Sequence, residues 1–144
     1  MSPKDSSSGN GTKPGVEGIK VSKRILIVDD ESDVRTYLEV LFQENGYETA
    51  VAVDGDEAMP KVREFKPDLI SLDIIMARES GQKFYRELAK DPVYSKIPVI
   101  ILSGVTRYKE LFSRDHKTMP KPFAFVEKPI DKDELLGKIK DAIG

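Results

Sequence analysis

Several short apolar runs in this chain end in residues that can do chemistry. "RILIV" ends at Asp29 and Asp30, "DLISL" at Asp73 and "PVIIL" at Ser103, while "FAFVE" runs into Lys128. Three carboxylates brought together repel one another and would be partly protonated unless a divalent cation sat among them. An oxygen-only donor set without Cys or His selects a hard ion, Mg²⁺ or Mn²⁺. The lysine cannot share that ion, so its ammonium is left to pair with a carboxylate or an incoming anion. A metal, a lysine and a hydroxyl around one carboxylate suit phosphoryl transfer, where the protein mainly positions groups and neutralises charge. The carboxylate can itself be the nucleophile and form an aspartyl phosphate. Asp73 draws attention because apolar residues flank it on both sides, and an idle carboxylate there would be costly.

The elements that must bring these residues together follow from periodicity. "RILIV" is a continuous β-branched run, as expected of a strand buried on both faces, and "YETAVAV", "DLISL", "PVIIL" and "FAFVE" supply four more. Between the first two strands, Val34, Tyr37, Leu38, Leu41 and Phe42 recur at helical spacing, with Gly46 as a C-terminal stop. "DGDEAMPKVREF" opens with Asp54 and, three residues later, Glu57, a start resembling a capping box. Its Pro60 predicts a late start or a kink, because that position normally donates a helical hydrogen bond. Phe84 and Leu88 mark the inner face of a third helix. Val105, Tyr108, Leu111 and Phe112 suggest a short fourth, and Leu135, Leu136, Ile139 and Ile143 a fifth. Strands alternating with helices indicate a doubly wound α/β fold with a parallel five-stranded sheet and five helices, flavodoxin-like, for which 2-1-3-4-5 is a common strand order. In such a sheet ligands bind beyond the carboxyl ends of the strands, where all the residues above collect.

Composition narrows the function. At 144 residues and 39% hydrophobic content the chain suits one soluble domain. No stretch approaches the roughly 18 apolar residues a membrane span requires, so no membrane insertion is expected and the cytoplasm is the expected location. A net charge of −2 and a pI near 5.5 give no basic field for direct nucleic-acid binding. Residues 1–22, rich in Gly, Ser, Pro and Lys, read as a flexible tail ahead of a single domain over 23–144.

The ordered set "ILIVDDE", "PDLISLDIIMARESG", "VIILSG" and "FVEKPI" resembles the receiver domains of two-component response regulators. That resemblance implies a signalling receiver rather than a classical enzyme, one that assists its own phosphotransfer and slow dephosphorylation. It implies Asp73 as phosphoacceptor, taking the phosphoryl group from a histidine kinase or phosphotransfer protein. Asp29, Asp30, Asp73 and the backbone carbonyl of Ile75 would be the Mg²⁺ ligands, with Asp30 the foremost direct one. Ser103 and Lys128 would contact the phosphoryl group, and Ser103 and Phe125 would act as switch residues. The Lys128–Pro129 peptide would be cis, against a general X-Pro rate of roughly 5–6%. The output surface would be the fourth helix, strand five and the fifth helix, which could also serve a homodimer. Ala77 stands where the family commonly has proline. Ile75 and Val105 are apolar where many relatives are polar, so water at the phosphoryl group would be poorly oriented and self-dephosphorylation slow.

Plainer readings compete residue by residue. Asp30 or Glu31 could be helix caps, Asp73 and Ser103 turn residues, Lys128 a structural ion pair and Phe125 a core aromatic. His116 sits in a polar loop, and the basic run from Arg107 to Lys121 suits a solvated face better than an acidic docking site. A Mg²⁺ phosphatase with an aspartyl-phosphate intermediate is the main alternative function. It generally needs a second acid two residues after the nucleophile, where this chain has Ile75. A nucleotide-binding flavodoxin-like domain is disfavoured, because the first strand-to-helix turn, "DDESD", is acidic and lacks glycine.

Overall fold

The computed structural model describes residues 22–74, 80–104 and 120–144. Within them, β1 (Arg24–Val28), α1 (Ser32–Glu44), β2 (Glu48–Ala52), α2 (Gly55–Phe65) and β3 (Leu69–Asp73) come first. Next are α3 (Ser80–Lys90), a single 3₁₀ turn at Tyr94–Lys96 and β4 (Val99–Ser103). The chain closes with β5 (Ala124–Glu127) and α4 (Lys132–Ile143). All strands are parallel, in the order β2-β1-β3-β4-β5, the doubly wound sheet expected from the alternating pattern. Four of the five expected helices lie in the described residues. The one expected around Val105–Phe112 falls outside them, as do Ile75, Ala77 and His116.

Strand parity divides the core in two. Leu26, Val28, Ile70, Leu72 and Ile101 face one way and pack under Ala58 and Val62 of α2 and Phe84 and Leu88 of α3. Ile25, Ile27, Leu69, Ile100 and Leu102 face the other and meet Leu38 and Phe42 of α1 and Leu135 and Ile139 of α4. Because β1, β3 and β4 are covered on both faces, they read as nearly continuous apolar runs, broken inside β3 by the buried Ser71. Full burial of side chains of this size stabilises by about 1.5–3 kcal/mol each before entropy is counted. Such a core holds the strand ends rigidly, and the chemistry sits at those ends.

Local signals explain the helix boundaries. Asp54 Oδ1 accepts from Glu57 N–H at 2.9 Å, and Glu57 Oε1 accepts from Val53 N–H at 2.9 Å. This is the reciprocal start read from the sequence, displaced by one residue on the return bond. Asp131 caps α4 by accepting from the amides of Asp133 and Glu134. Gly46, at φ +88°, ends α1 in the left-handed region that glycine tolerates. Two expectations need correction. The start of α2 is not delayed by Pro60, since the helix begins at Gly55 and runs through the proline; the caps and the burial of Ala58, Met59 and Val62 offset its missing donor. Nor is Tyr37 an inward residue, being 45% exposed, because Leu38, Leu41 and Phe42 already fill the inner stripe of α1.

One close approach fixes α2 against α3. The Gly55 amide donates to Ser80 Oγ at 3.1 Å, and a Cβ at Gly55 would fall on the Ser80 carbonyl. Gly137, in the middle of α4, has open space around its Cβ direction. Gly55→Ala should therefore lower unfolding stability by about 1–3 kcal/mol through overpacking. Gly137→Ala should raise it by about 0.5–1 kcal/mol through helix propensity. Urea denaturation of both variants checks the pair, and equal shifts would contradict the packing.

Candidate functional site

The site is built where β1, β3, β4 and β5 end. Asp29 follows Val28 and extends the sheet by one bond, its amide donating to the Ala52 carbonyl at 3.2 Å. Its side chain is only 1% exposed. One oxygen, Oδ1, accepts from the Glu31 amide at 2.9 Å, and its backbone carbonyl accepts from Arg35 Nη1 at 2.9 Å. The other oxygen, Oδ2, is buried without a hydrogen-bond partner and faces the Lys128 ammonium at 3.6 Å. Burial raises the Asp29 carboxyl above the ordinary carboxylate value, and the Glu31 amide and Lys128 only partly counter it.

Asp73 is the last residue of β3, paired with Leu102 of β4, so the strand runs one residue past the "DLISL" run expected from the sequence. It is buried, and its Oδ2 lies 3.4 Å from Lys128 Nζ. Asp30 is exposed beside them, and donor oxygens of Asp29, Asp30 and Asp73 all lie within 4.8 Å of one another. A tight oxygen-only donor set with one buried carboxylate oxygen lacking a hydrogen bond fits a hard divalent cation.

Lys128 enters from the end of β5. Its amide donates to the Ser103 carbonyl at 3.0 Å, continuing the β4–β5 ladder in which Ser103 pairs with Glu127. Partial burial works against the charged ammonium, and Asp73 and Asp29 together outweigh it, leaving the lysine pKa raised. The ammonium is therefore charged throughout the neutral range. Ser103 is 1% exposed, with its Oγ buried and lacking a hydrogen-bond partner. Such a hydroxyl costs free energy until an acceptor or donor meets it. Phe125, opposite Ile101 in the β4–β5 register, packs partly buried against the α2–α3 side of the core. The Lys128–Pro129 peptide is cis.

The structure thus brings Asp29, Asp30, Asp73 and Lys128 together and places Ser103 at the end of the neighbouring strand. The Ile75 carbonyl lies outside the described residues. Sequence reasoning missed Glu31 as a member of the site, treating it only as a cap. Glu31 does occupy the N-cap position of α1 but makes no side-chain cap bond; its Oε1 lies 3.7 Å from Lys128 Nζ. The available signal was its place directly after the acid pair, in the turn that faces the lysine-bearing strand. The Tyr85 hydroxyl, which donates to the Pro120 carbonyl, was also not foreseen. It ties α3 to the segment entering β5, and burial raises its pKa.

Comparison with known proteins agrees with this fold. Protein Rrf1 of Nitratidesulfovibrio vulgaris is 28% identical over 120 residues, covering 83% of this chain and 82% of its own length. Protein PilG of Pseudomonas aeruginosa is 29% identical over 117 residues, covering 81% and 84%. Among solved structures, the signal receiver domain of a signal transduction histidine kinase from Syntrophus aciditrophicus superposes with a TM-score of 0.74 at 27% identity, covering 85% of this chain and 90% of that one. The family model of the response regulator receiver domain matches residues 25–140. The acids, the lysine and the hydroxyl at the carboxyl edge of a 2-1-3-4-5 sheet lie within that span, and the chain belongs to the response regulator receiver domain family.

Proposed function

We propose that Asp73 accepts a phosphoryl group from the phosphohistidine of a histidine kinase or phosphotransfer protein, with Asp29, Asp30 and Asp73 holding a Mg²⁺ or Mn²⁺ ion. The observation that carries this reading is the Lys128 ammonium, 3.4 Å from Asp73 Oδ2 and 3.6 Å from the buried Asp29 Oδ2. A bound divalent cation would neutralise charge on the transferring phosphoryl oxygens. An oxygen of Asp73 attacks phosphorus as the P–N bond to the donor imidazole breaks; that ring, already protonated at its other nitrogen, keeps the bond's electron pair and leaves as neutral imidazole. Lys128 steadies one phosphoryl oxygen as its negative charge is redistributed. Ser103, with its unpartnered Oγ, turns that hydroxyl toward another.

The same reading supplies an output. Drawing the Ser103 hydroxyl toward a phosphoryl group would bias β5, which carries Phe125, and with it the surface of β5, α4 and the helix expected around Val105–Phe112. That surface is the proposed contact for a downstream partner or a second copy of the chain. Ile75 and Val105 would keep water from the phosphoryl group and lengthen its lifetime. Among the described residues no helix is long and apolar enough to cross a membrane.

Acetyl phosphate with Mg²⁺ should add one phosphoryl mass to the chain. Asp73→Asn should abolish that addition, and labelling at full strength in the variant would remove Asp73 from its role. Metal binding has a second signature. Because the folded Asp29 pKa lies above its unfolded value, the folded state holds that proton more tightly. The stability this contributes is present at acid pH and is lost as pH rises through the folded pKa. At neutral pH, Asp29→Asn should therefore stabilise the metal-free protein by relieving the burial of an ionised carboxylate, while removing most of the thermal shift that Mg²⁺ gives the wild type. Melting curves with Mg²⁺ and with a chelator check both halves.

A further inference from the structure

Lys128 is shared by three carboxylates, and the third, that of Glu31, belongs to no proposed metal shell. Two features single it out. The Glu31 backbone is locked into the site, its amide donating to Asp29 Oδ1 at 2.9 Å and its carbonyl accepting from the Arg35 amide at 3.0 Å. Its side chain stands at a helix N-cap, where a side-chain oxygen commonly bonds first-turn amides, yet it makes no such bond and lies beside the lysine instead. It is also the solvent-side member of the group: its side chain is 64% exposed, against 1% for Asp29 and 7% for Asp73.

We propose that Glu31 is a positioning residue that sets the balance between metal loading and phosphoryl capture. The inference rests on the reading of Asp73 as phosphoacceptor. From the mouth of the site, Glu31 draws Lys128 away from Asp73 and adds negative charge on the path of an anionic phosphodonor. The same charge favours a divalent cation among Asp29, Asp30 and Asp73. Glu31 thus slows phosphoryl uptake and tightens cation binding, two effects of opposite sign from one carboxylate. As an exposed ion pair it contributes little to stability; its effect lies in the charge it places at the site.

The full chain as wild type, Glu31→Gln and Glu31→Asp tests this, with two readouts. One is the initial rate of phosphorylation by acetyl phosphate at saturating Mg²⁺. The other is the Mg²⁺ dissociation constant of the unphosphorylated protein. Glu31→Gln should speed labelling about two- to five-fold and weaken Mg²⁺ binding by a similar factor, as expected for one unit charge several ångströms away in a wet site. Glu31→Asp, which keeps the charge, should stay near wild type in Mg²⁺ affinity. Raising ionic strength at constant saturating Mg²⁺ should shrink the rate difference between wild type and Glu31→Gln. The proposal is overturned if Glu31→Gln leaves both quantities unchanged, or slows labelling while weakening Mg²⁺ binding, the joint loss that a distorted site would give. A wild type that takes up no phosphoryl group overturns the parent reading, and this inference with it.

Discussion

One ammonium, that of Lys128, lies within 3.7 Å of carboxylate oxygens from Asp29, Glu31 and Asp73, and the site depends on holding it there. Removing two of those acids from water carries a desolvation cost that a single cation meets only in part. The raised Asp29 pKa and its buried Oδ2, which lacks a hydrogen bond, are the residue of that shortfall. The arrangement persists because the groups are set on strand ends that the core does not allow to move. Asp29 extends β1, Asp73 closes β3, and the Lys128 amide is bonded to Ser103 at the end of β4. A divalent cation and a phosphoryl group would each answer part of the imbalance, which is the physical reason to expect both at one edge.

The parallel sheet couples that edge to the rest of the molecule. Ser103 and Lys128 belong to adjacent strands joined by a backbone bond, and Phe125 lies opposite Ile101 within the same ladder. Under the proposed function, a change in what Lys128 and Ser103 contact would reach β5 through that bond. Tyr85, through the Pro120 carbonyl, ties the segment entering that strand to α3. Close-packed cores pass small displacements on rather than absorbing them, so the proposed switch needs no large motion at the site itself.

Much of this was legible in the sequence, for a definite reason. Strands covered on both faces are apolar along most of their length, so Asp29, Asp73 and Ser103 stand out where the runs stop, and the parallel topology then gathers them at one edge. What escaped depended on three-dimensional detail. Tyr37 has helical spacing, but the spacing does not say how wide a stripe the core needs, and Leu38, Leu41 and Phe42 already fill it. Pro60 argued for a late helix start or a kink, and the start at least is not late, because the cap bonds between Asp54, Glu57 and Val53 begin the helix at Gly55. Glu31 could be seen as a cap but not as a partner of Lys128, because the pairing joins residues 97 positions apart across strands whose register the sequence does not state.

The most direct test of the proposed chemistry locates the covalent bond. After exposure to acetyl phosphate and Mg²⁺, borohydride reduces an aspartyl phosphate to homoserine, which peptide mass spectrometry can place on the chain. Homoserine at position 73 alone is the predicted result. Homoserine at Asp29, Asp30 or any other acid, or a phosphoryl group that resists reduction, would contradict Asp73 as the nucleophile held beside Lys128.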